Sequence, residues 1–271
     1  MKQRSAFLFA SSILVYAFLY VPLMVLIFFS FNAGRDVTIW KGFSTKWYGV
    51  LMEDDYLLNA LGVSLRIAFQ SATFSVIIGT MAAVALVRFG RFRGRTLFSG
   101  MTSAPLVMPD VMTGLALLFM FVSLQQLIGW PGERGVMTVT IAHTTLAMAY
   151  VTAVVRARLV DFDGQVEEAA QDLGARPLKV FFLITLPMIA PSLASGWLLA
   201  FLLSMDDVVV ASFVSGPGAT TLPMVIFSSV KLGVSPKINA LATLLIFVVS
   251  VGICIAGYVL NRTQRNAMLK K

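Results

Sequence analysis

Three carboxylates fall inside stretches of sequence that are otherwise almost wholly apolar. Asp110 sits in TLFSGMTSAPLVMPDVMTGLALLFMFV, and the adjacent Asp206 and Asp207 close the run that begins near position 189. Burying a carboxylate at membrane depth costs about 2.5–3.5 kcal/mol on insertion scales, so each must face protein or a water-filled path. Carboxylates so placed suit passage of a cation, whose lost hydration they replace together with aromatic faces. The competing roles are structural: Asp110 hydrogen-bonds a neighbouring helix, and the Asp206–Asp207 pair caps the helix before it. The single histidine, His143, stands beside Thr144 and Thr145 with no second ligand type nearby, which points to an interhelical hydrogen bond. No nucleophile–base pair, glycine-rich phosphate loop or metal-ligand spacing is evident. The chain is therefore not expected to be an enzyme, and no cofactor is expected in it.

A second group lies between apolar segments. The stretch VEEAAQDLGARPLKVFFLITLP, 166–187, is too polar at its start to cross a bilayer. Glu167 and Glu168 suit the first turns of a helix, where the dipole favours negative charge. Ala169 and Ala170 favour helix with almost no bulk, and Gly174 allows a stop with a left-handed backbone. Pro177 can open a second helix, which contains Ile184 and Leu186 and is expected to be interrupted at Pro187. Two short helices with a bend, lying on a membrane surface, are the expectation.

These groups need apolar elements to hold them. Hydrophobic residues make up 58% of the 271 and charged residues 13%, and the mean hydropathy is +0.85. That leaves too little polar surface for a water-soluble globule. The net charge of +8 does not mark a nucleic-acid binder, because the Lys and Arg residues cluster in short loops, as the positive-inside rule produces. The lone Cys254 can form no disulfide within the chain. The first apolar run is too long for a signal peptide and lacks a convincing cleavage site, so it is read as an uncleaved helix.

At about 20 residues per crossing, the predicted spans are 6–30, 60–87, 97–123, 136–156, 189–210 and 239–260, in one transmembrane domain covering 1–271. Lys2 and Arg4 precede the first span, and Arg88, Arg91, Arg93 and Arg95 follow the second. Arg156, Arg158, Arg176 and Lys179 follow the fourth. The opposite loops hold Asp36, Glu53, Asp54, Asp55 and Glu133. Both termini and the loop at 161–187 are thereby expected in the cytoplasm. Trp40, Trp47 and Tyr48, in the first outer loop, fit an interfacial aromatic belt better than a docking surface.

The spacing in the polar loop carries a resemblance. Glu168-Ala169-Ala170, three residues, Gly174, nine residues, Ile184, one residue and Leu186-Pro187 match every defined position of the EAA loop. The chain thus resembles the permeases of ABC importers. The resemblance implies an all-α membrane protein with six transmembrane helices and the type I importer fold. In that family the loop docks in a cleft of an ATPase, so Glu167, Glu168, Ala169, Ala170, Gly174, Ile184, Leu186 and Pro187 are the expected coupling residues. The implied machine sits in a bacterial inner membrane. It has a second permease, two ATPases that carry the ATP and magnesium, and a periplasmic binding protein. The passages at 104–118, 204–223 and 231–243 resemble the polyamine type, nearest to a membrane subunit of putrescine importers. Putrescine is then the expected substrate, with Asp110, Asp206 and Asp207 along its path. Lys237 departs from this pattern, where an acid is expected after Ser-Pro. The alternatives are the same machine serving another small solute, or a proton-coupled secondary transporter. The latter usually shows internal repeats and needs no EAA loop.

Overall fold

The computed structural model describes residues 2–251 except positions 38, 162 and 234. Its elements are helical: α1 Lys2–Ser30, α2 Lys46–Met52, α3 Asp55–Arg88, α4 Arg95–Ser103, α5 Asp110–Ile128, α6 Val136–Asp161 and α7 Gln165–Asp172. They continue as α8 Pro177–Val180, α9 Leu186–Asp206, α10 Val209–Val214, α11 Leu222–Leu232 and α12 Pro236–Val251. Five helices are long and apolar enough to cross a membrane: Leu8–Ser30, Asp55–Arg88, Asp110–Ile128, Val136–Asp161 and Pro177–Asp206. The sixth expected span coincides with α12 up to Val251; its remainder, with Cys254, lies outside the described residues.

The described residues form two compact units, one of those up to 58 and from 228 onward, the other of those in 59–227. In the first, the outer loop is organised by Asn32, whose side chain is fully buried. Its Nδ2 donates to the carbonyls of Asp36 and Ile39 at 2.9 and 2.7 Å, and its Oδ1 accepts from the N–H groups of Gly34 and Lys41. Trp47 Nε1 donates to the Asn32 carbonyl, and the Tyr48 and Ser30 hydroxyls meet at 2.7 Å. These two half-buried aromatics brace the loop through their polar ends. Lys237 Nζ pairs with Asp54 Oδ2.

The second unit is built around α6. Ala142 and Val139 on α6 pack with Ile67 of α3, Leu117 and Phe121 of α5 and Val210 and Val214 of α10. Farther along, Ala147, Val151, Val155 and Leu159 of α6 pack with Ala72 and Ala83 of α3 and Ile189 and Ala200 of α9. Small residues let these backbones approach closely, which is how helices associate where lipid removes the hydrophobic drive. Ser75 Oγ of α3 donates to the Thr144 carbonyl of α6 at 3.2 Å, and Trp197 Nε1 of α9 donates to Thr73 Oγ1 of α3 at 3.2 Å.

Two departures from the expected spans matter for function. The segment at 97–123 is not one helix: α4 ends at Ser103, a 3₁₀ turn covers Ala104–Leu106, and α5 begins at Asp110. Pro105 sits within the turn, and Pro109 is the extended residue before α5 (φ −59°, ψ 140°). Proline lacks an N–H and its ring opposes the preceding turn, so two of them four residues apart end the helix rather than kink it. The segment at 189–210 also divides. α9 stops at Asp206, Asp207 is extended, and α10 starts at Val209. Non-helical backbone at membrane depth survives where it lines a cavity or is buried in protein, and both breaks border one cavity.

Candidate functional site

That cavity has a volume of about 600 Å³ and is walled by Asp110, Asp206 and Asp207, with His143, Tyr150, Phe213 and Phe227 among its lining residues. α6 contributes His143 and Tyr150, seven residues apart, or roughly 10 Å along the helix at 1.5 Å per residue. The acids sequence reasoning singled out are therefore brought together, although they leave the chain at two different helix breaks.

Their chemistry is not equivalent. Asp207 is fully engaged. Its Oδ1 accepts from the N–H of Val210 at 3.2 Å, and its Oδ2 accepts from the N–H of Ala211 at 2.7 Å and from His143 Nε2 at 3.0 Å. It caps α10, satisfying amides that the helix start leaves unpaired. Because a carboxylate only accepts, His143 Nε2 carries a proton and donates to it, while Nδ1 shares a hydrogen bond with the Ser204 hydroxyl at 2.7 Å. His143 and Ser204 are both buried, and the Ser204–His143–Asp207 chain ties α6 to the end of α9. The interhelical role expected of His143 is what the geometry gives. Its partners lie 61 and 64 residues away, beyond any local pattern.

Asp110 and Asp206 differ from Asp207. Both are exposed, and neither side chain makes a hydrogen bond or ion pair among the described residues. Asp110 occupies the first position of α5, where its charge offsets the helix dipole. It is not hydrogen-bonded to a neighbouring helix. Asp206 and Asp207, expected to act as a pair, are split by the change from helical to extended backbone between them.

One signal was missed in the sequence. A Cβ at Gly114 would lie 2.6 Å from Cδ2 of Phe213, so glycine is what lets the α10 aromatic settle against α5 beside the cavity.

The polar loop forms an elbow. α7 ends in a Schellman arrangement: Gly174 N–H donates to the Gln171 carbonyl at 2.8 Å and Ala175 N–H to the Ala170 carbonyl at 3.0 Å. Gly174 takes φ +86°, as a glycine stop requires. Glu168, Ala169, Leu173 and Leu178 are exposed, Leu173 almost completely, and Ala170 is half-buried. Pro177 opens α8 as expected, but Pro187 does not interrupt the helix. A π turn at Phe181–Thr185 carries α8 into α9. Its wider turn accommodates the ring and missing N–H of Pro187. The second short helix is thus the foot of a helix running Pro177–Asp206. Ile184 and Leu186 are half-buried on it, and Pro187 is exposed. Glu167 points the other way from Glu168: its Oε2 meets Arg88 Nε at 2.8 Å and its Oε1 accepts the Thr185 hydroxyl at 2.5 Å.

Broken transmembrane helices around an acid-lined cavity, with a surface elbow of EAA spacing, define a membrane permease. The chain belongs to the family of binding-protein-dependent transport system inner membrane components, whose model matches residues 75–267. It is 56% identical over 262 residues to the putrescine transport system permease protein PotI of Escherichia coli K12, covering 97% of this chain and 93% of that one. It is 44% identical over 250 residues to the spermidine/putrescine transport system permease protein PotC of the same organism, covering 92% of each. In fold it is similar to a chain of a bacterial ABC transporter that imports alginate, with TM-score 0.72 and 16% identity over 96% of this chain and 98% of that one. The chain is a multi-pass inner-membrane permease component of an ABC importer, and not an enzyme.

Proposed function

We propose that this chain forms half of a path for a polyamine, putrescine in particular, and that Asp110 and Asp206 are its cation-facing groups. The observation that carries this is the cavity in which these two carboxylates stand without partners among the described residues, beside Tyr150, Phe213 and Phe227. An ammonium leaving water needs charge and aromatic faces in place of its hydration. A substrate with an ammonium at each end of an apolar linker uses two separated acids better than one. Asp207 contributes by holding α10, and with it Phe213, against the path. The likeness to PotI and PotC supports the same substrate class.

The elbow is the ATPase-facing element, with Glu168, Ala169, Ala170, Gly174, Leu173 and Leu178 forming its outer surface. Ile184, Leu186 and Pro187 form the helix foot behind it. On this reading ATP and magnesium belong to two partner ATPases, a second permease completes the path, and a periplasmic protein delivers substrate. On the same reading the chain crosses the membrane six times with both termini and the elbow in the cytoplasm, which the Lys and Arg distribution supports.

The test is uptake of labelled putrescine by cells expressing this chain with its partner subunits. Asp110→Asn and Asp206→Asn should each raise the half-saturating concentration about tenfold, equivalent to ~1.4 kcal/mol, while the complex still assembles. Wild-type uptake in both single variants and in the double variant would make these carboxylates structural.

A further inference from the structure

Glu167 has one carboxylate oxygen on each of two other elements. Oε2 pairs with Arg88, the last residue of α3, and Oε1 holds Thr185, the last residue of the π turn. The carboxylate is 12% exposed and the guanidinium 26%, and Thr185 is buried. The Thr185 hydroxyl donates a charge-assisted hydrogen bond, shorter and stronger than a neutral one, whereas Arg88 Nε meets the carboxylate as an ion pair without hydrogen-bond geometry. The chain itself joins α7 to α9 only through the Gly174 elbow, and α3 lies far from α7 in sequence. The Glu167 carboxylate ties α7 directly to α3 and to the foot of the α9 helix.

We propose that Glu167 is a positioning residue that transmits movement of α7 into α3 and the π turn. Glu168 beside it faces outward. This inference rests on the reading of the elbow as the ATPase-facing element. A force applied to the exposed side of α7 reaches the path only if α7 moves as one body with the helices behind it. Gly174 joins α7 to α8 through a short hydrogen-bonded turn, and Glu167 adds a direct link from α7 to the helices behind it. The π turn is the complementary part. Helical segments of this kind are irregular and recur at functional sites, and here the irregular segment ends on the residue Glu167 grips. Displacement of α7 would therefore act on the base of α9, whose other end carries Asp206 and abuts the Asp207 cap.

The experiment uses the complete complex in proteoliposomes with binding protein and labelled putrescine, comparing wild type with Glu167→Gln, Glu167→Asp and Thr185→Val. ATP hydrolysis, uptake and subunit co-purification are measured on the same preparations. Glu167→Gln keeps an acceptor for Thr185 but removes the charge facing Arg88. Hydrolysis should persist while uptake falls, raising the ATP consumed per putrescine imported severalfold. Thr185→Val should move the ratio in the same direction, and Glu167→Asp should restore part of it. An unchanged ratio in Glu167→Gln and Thr185→Val overturns the proposal. So does an equal fall of assembly, hydrolysis and uptake in all three variants, which marks a purely structural contact. Absence of ATP-dependent uptake in wild type would instead overturn the proposed function, before any variant is compared.

Discussion

His143 Nε2 lies 3.0 Å from Asp207 Oδ2, joining the middle of one membrane helix to the break after another. The same carboxylate caps α10, so a single side chain fixes both the direction of α10 and the ring of the histidine. This separates two neighbouring acids by role. Asp207→Ala removes a cap and strands a buried imidazole, each costing about 1–2 kcal/mol. The purified complex should melt earlier, and uptake should fall with it. Asp206→Ala should leave the melting temperature near wild type and act on uptake alone. Thermal unfolding of both variants beside their transport rates checks the division; equal destabilisation would place Asp206 in the scaffold too.

Much of this architecture was legible in the sequence, and the failures have physical causes. Apolar length and loop charge locate most spans because the bilayer imposes both. Glycine at 174 announces its backbone, and φ +86° agrees. Pro105 and Pro109 announce a disturbance, but their presence alone does not say whether a helix kinks or ends. Pro187 misleads for the same kind of reason, since a π turn upstream absorbs it. The division of Asp206 from Asp207 could not be read, because adjacent residues part only when the backbone between them turns extended. Nor could Glu167 be told from Glu168: their surroundings are set by Arg88 and Thr185, which lie 79 and 18 positions distant.

The elbow supplies the next expectation. A Cβ at Gly174 would meet nothing within 4 Å, so the cost of a side chain there is backbone strain alone, roughly 1–2 kcal/mol. Gly174→Asn, which tolerates the left-handed region, should assemble with the ATPase and couple nearly normally. Gly174→Val should reshape the turn and weaken co-purification. Equal behaviour of the two variants would show that the left-handed turn is not what docking needs.

Lys237 stands where an acid was expected, and its pairing with Asp54 gives it a structural occupation. The Lys237 ammonium, together with the Leu57 N–H, holds the Asp54 carboxyl below its ordinary value of 3.8. A group whose folded value is depressed contributes stability above the unfolded value and loses it as pH falls through the folded one. The pair should therefore contribute at neutral pH and vanish below the usual carboxylate range. Since both groups are partly exposed, the contribution is about 1 kcal/mol or less. Lys237→Gln should lower the melting temperature at pH 7 and match wild type in strong acid. A difference that persists in acid would mean that lost packing of the lysine stem, not charge, is responsible.

The contact between Gly114 and Phe213 gives the most specific prediction for the path. With the built Cβ 2.6 Å from the Phe213 ring, Gly114→Ala cannot be accommodated without displacing either the ring or α10. α10 is held at its start by the Asp207 cap and near its end by the Thr138 hydroxyl, which donates to the Val214 carbonyl at 2.7 Å. The ring is the freer of the two and should swing into the cavity. Overpacking of this kind costs about 1–3 kcal/mol, a modest loss for the whole complex, but it narrows the path where the acids stand. Uptake of a long polyamine such as spermidine should therefore fall more than uptake of putrescine, with both below wild type. Trimming the ring in Gly114→Ala/Phe213→Leu should restore space and recover transport. If Gly114→Ala lowers stability yet leaves the ratio of the two uptake rates unchanged, and the double variant recovers nothing, α10 has moved as a unit and Phe213 does not gate the cavity.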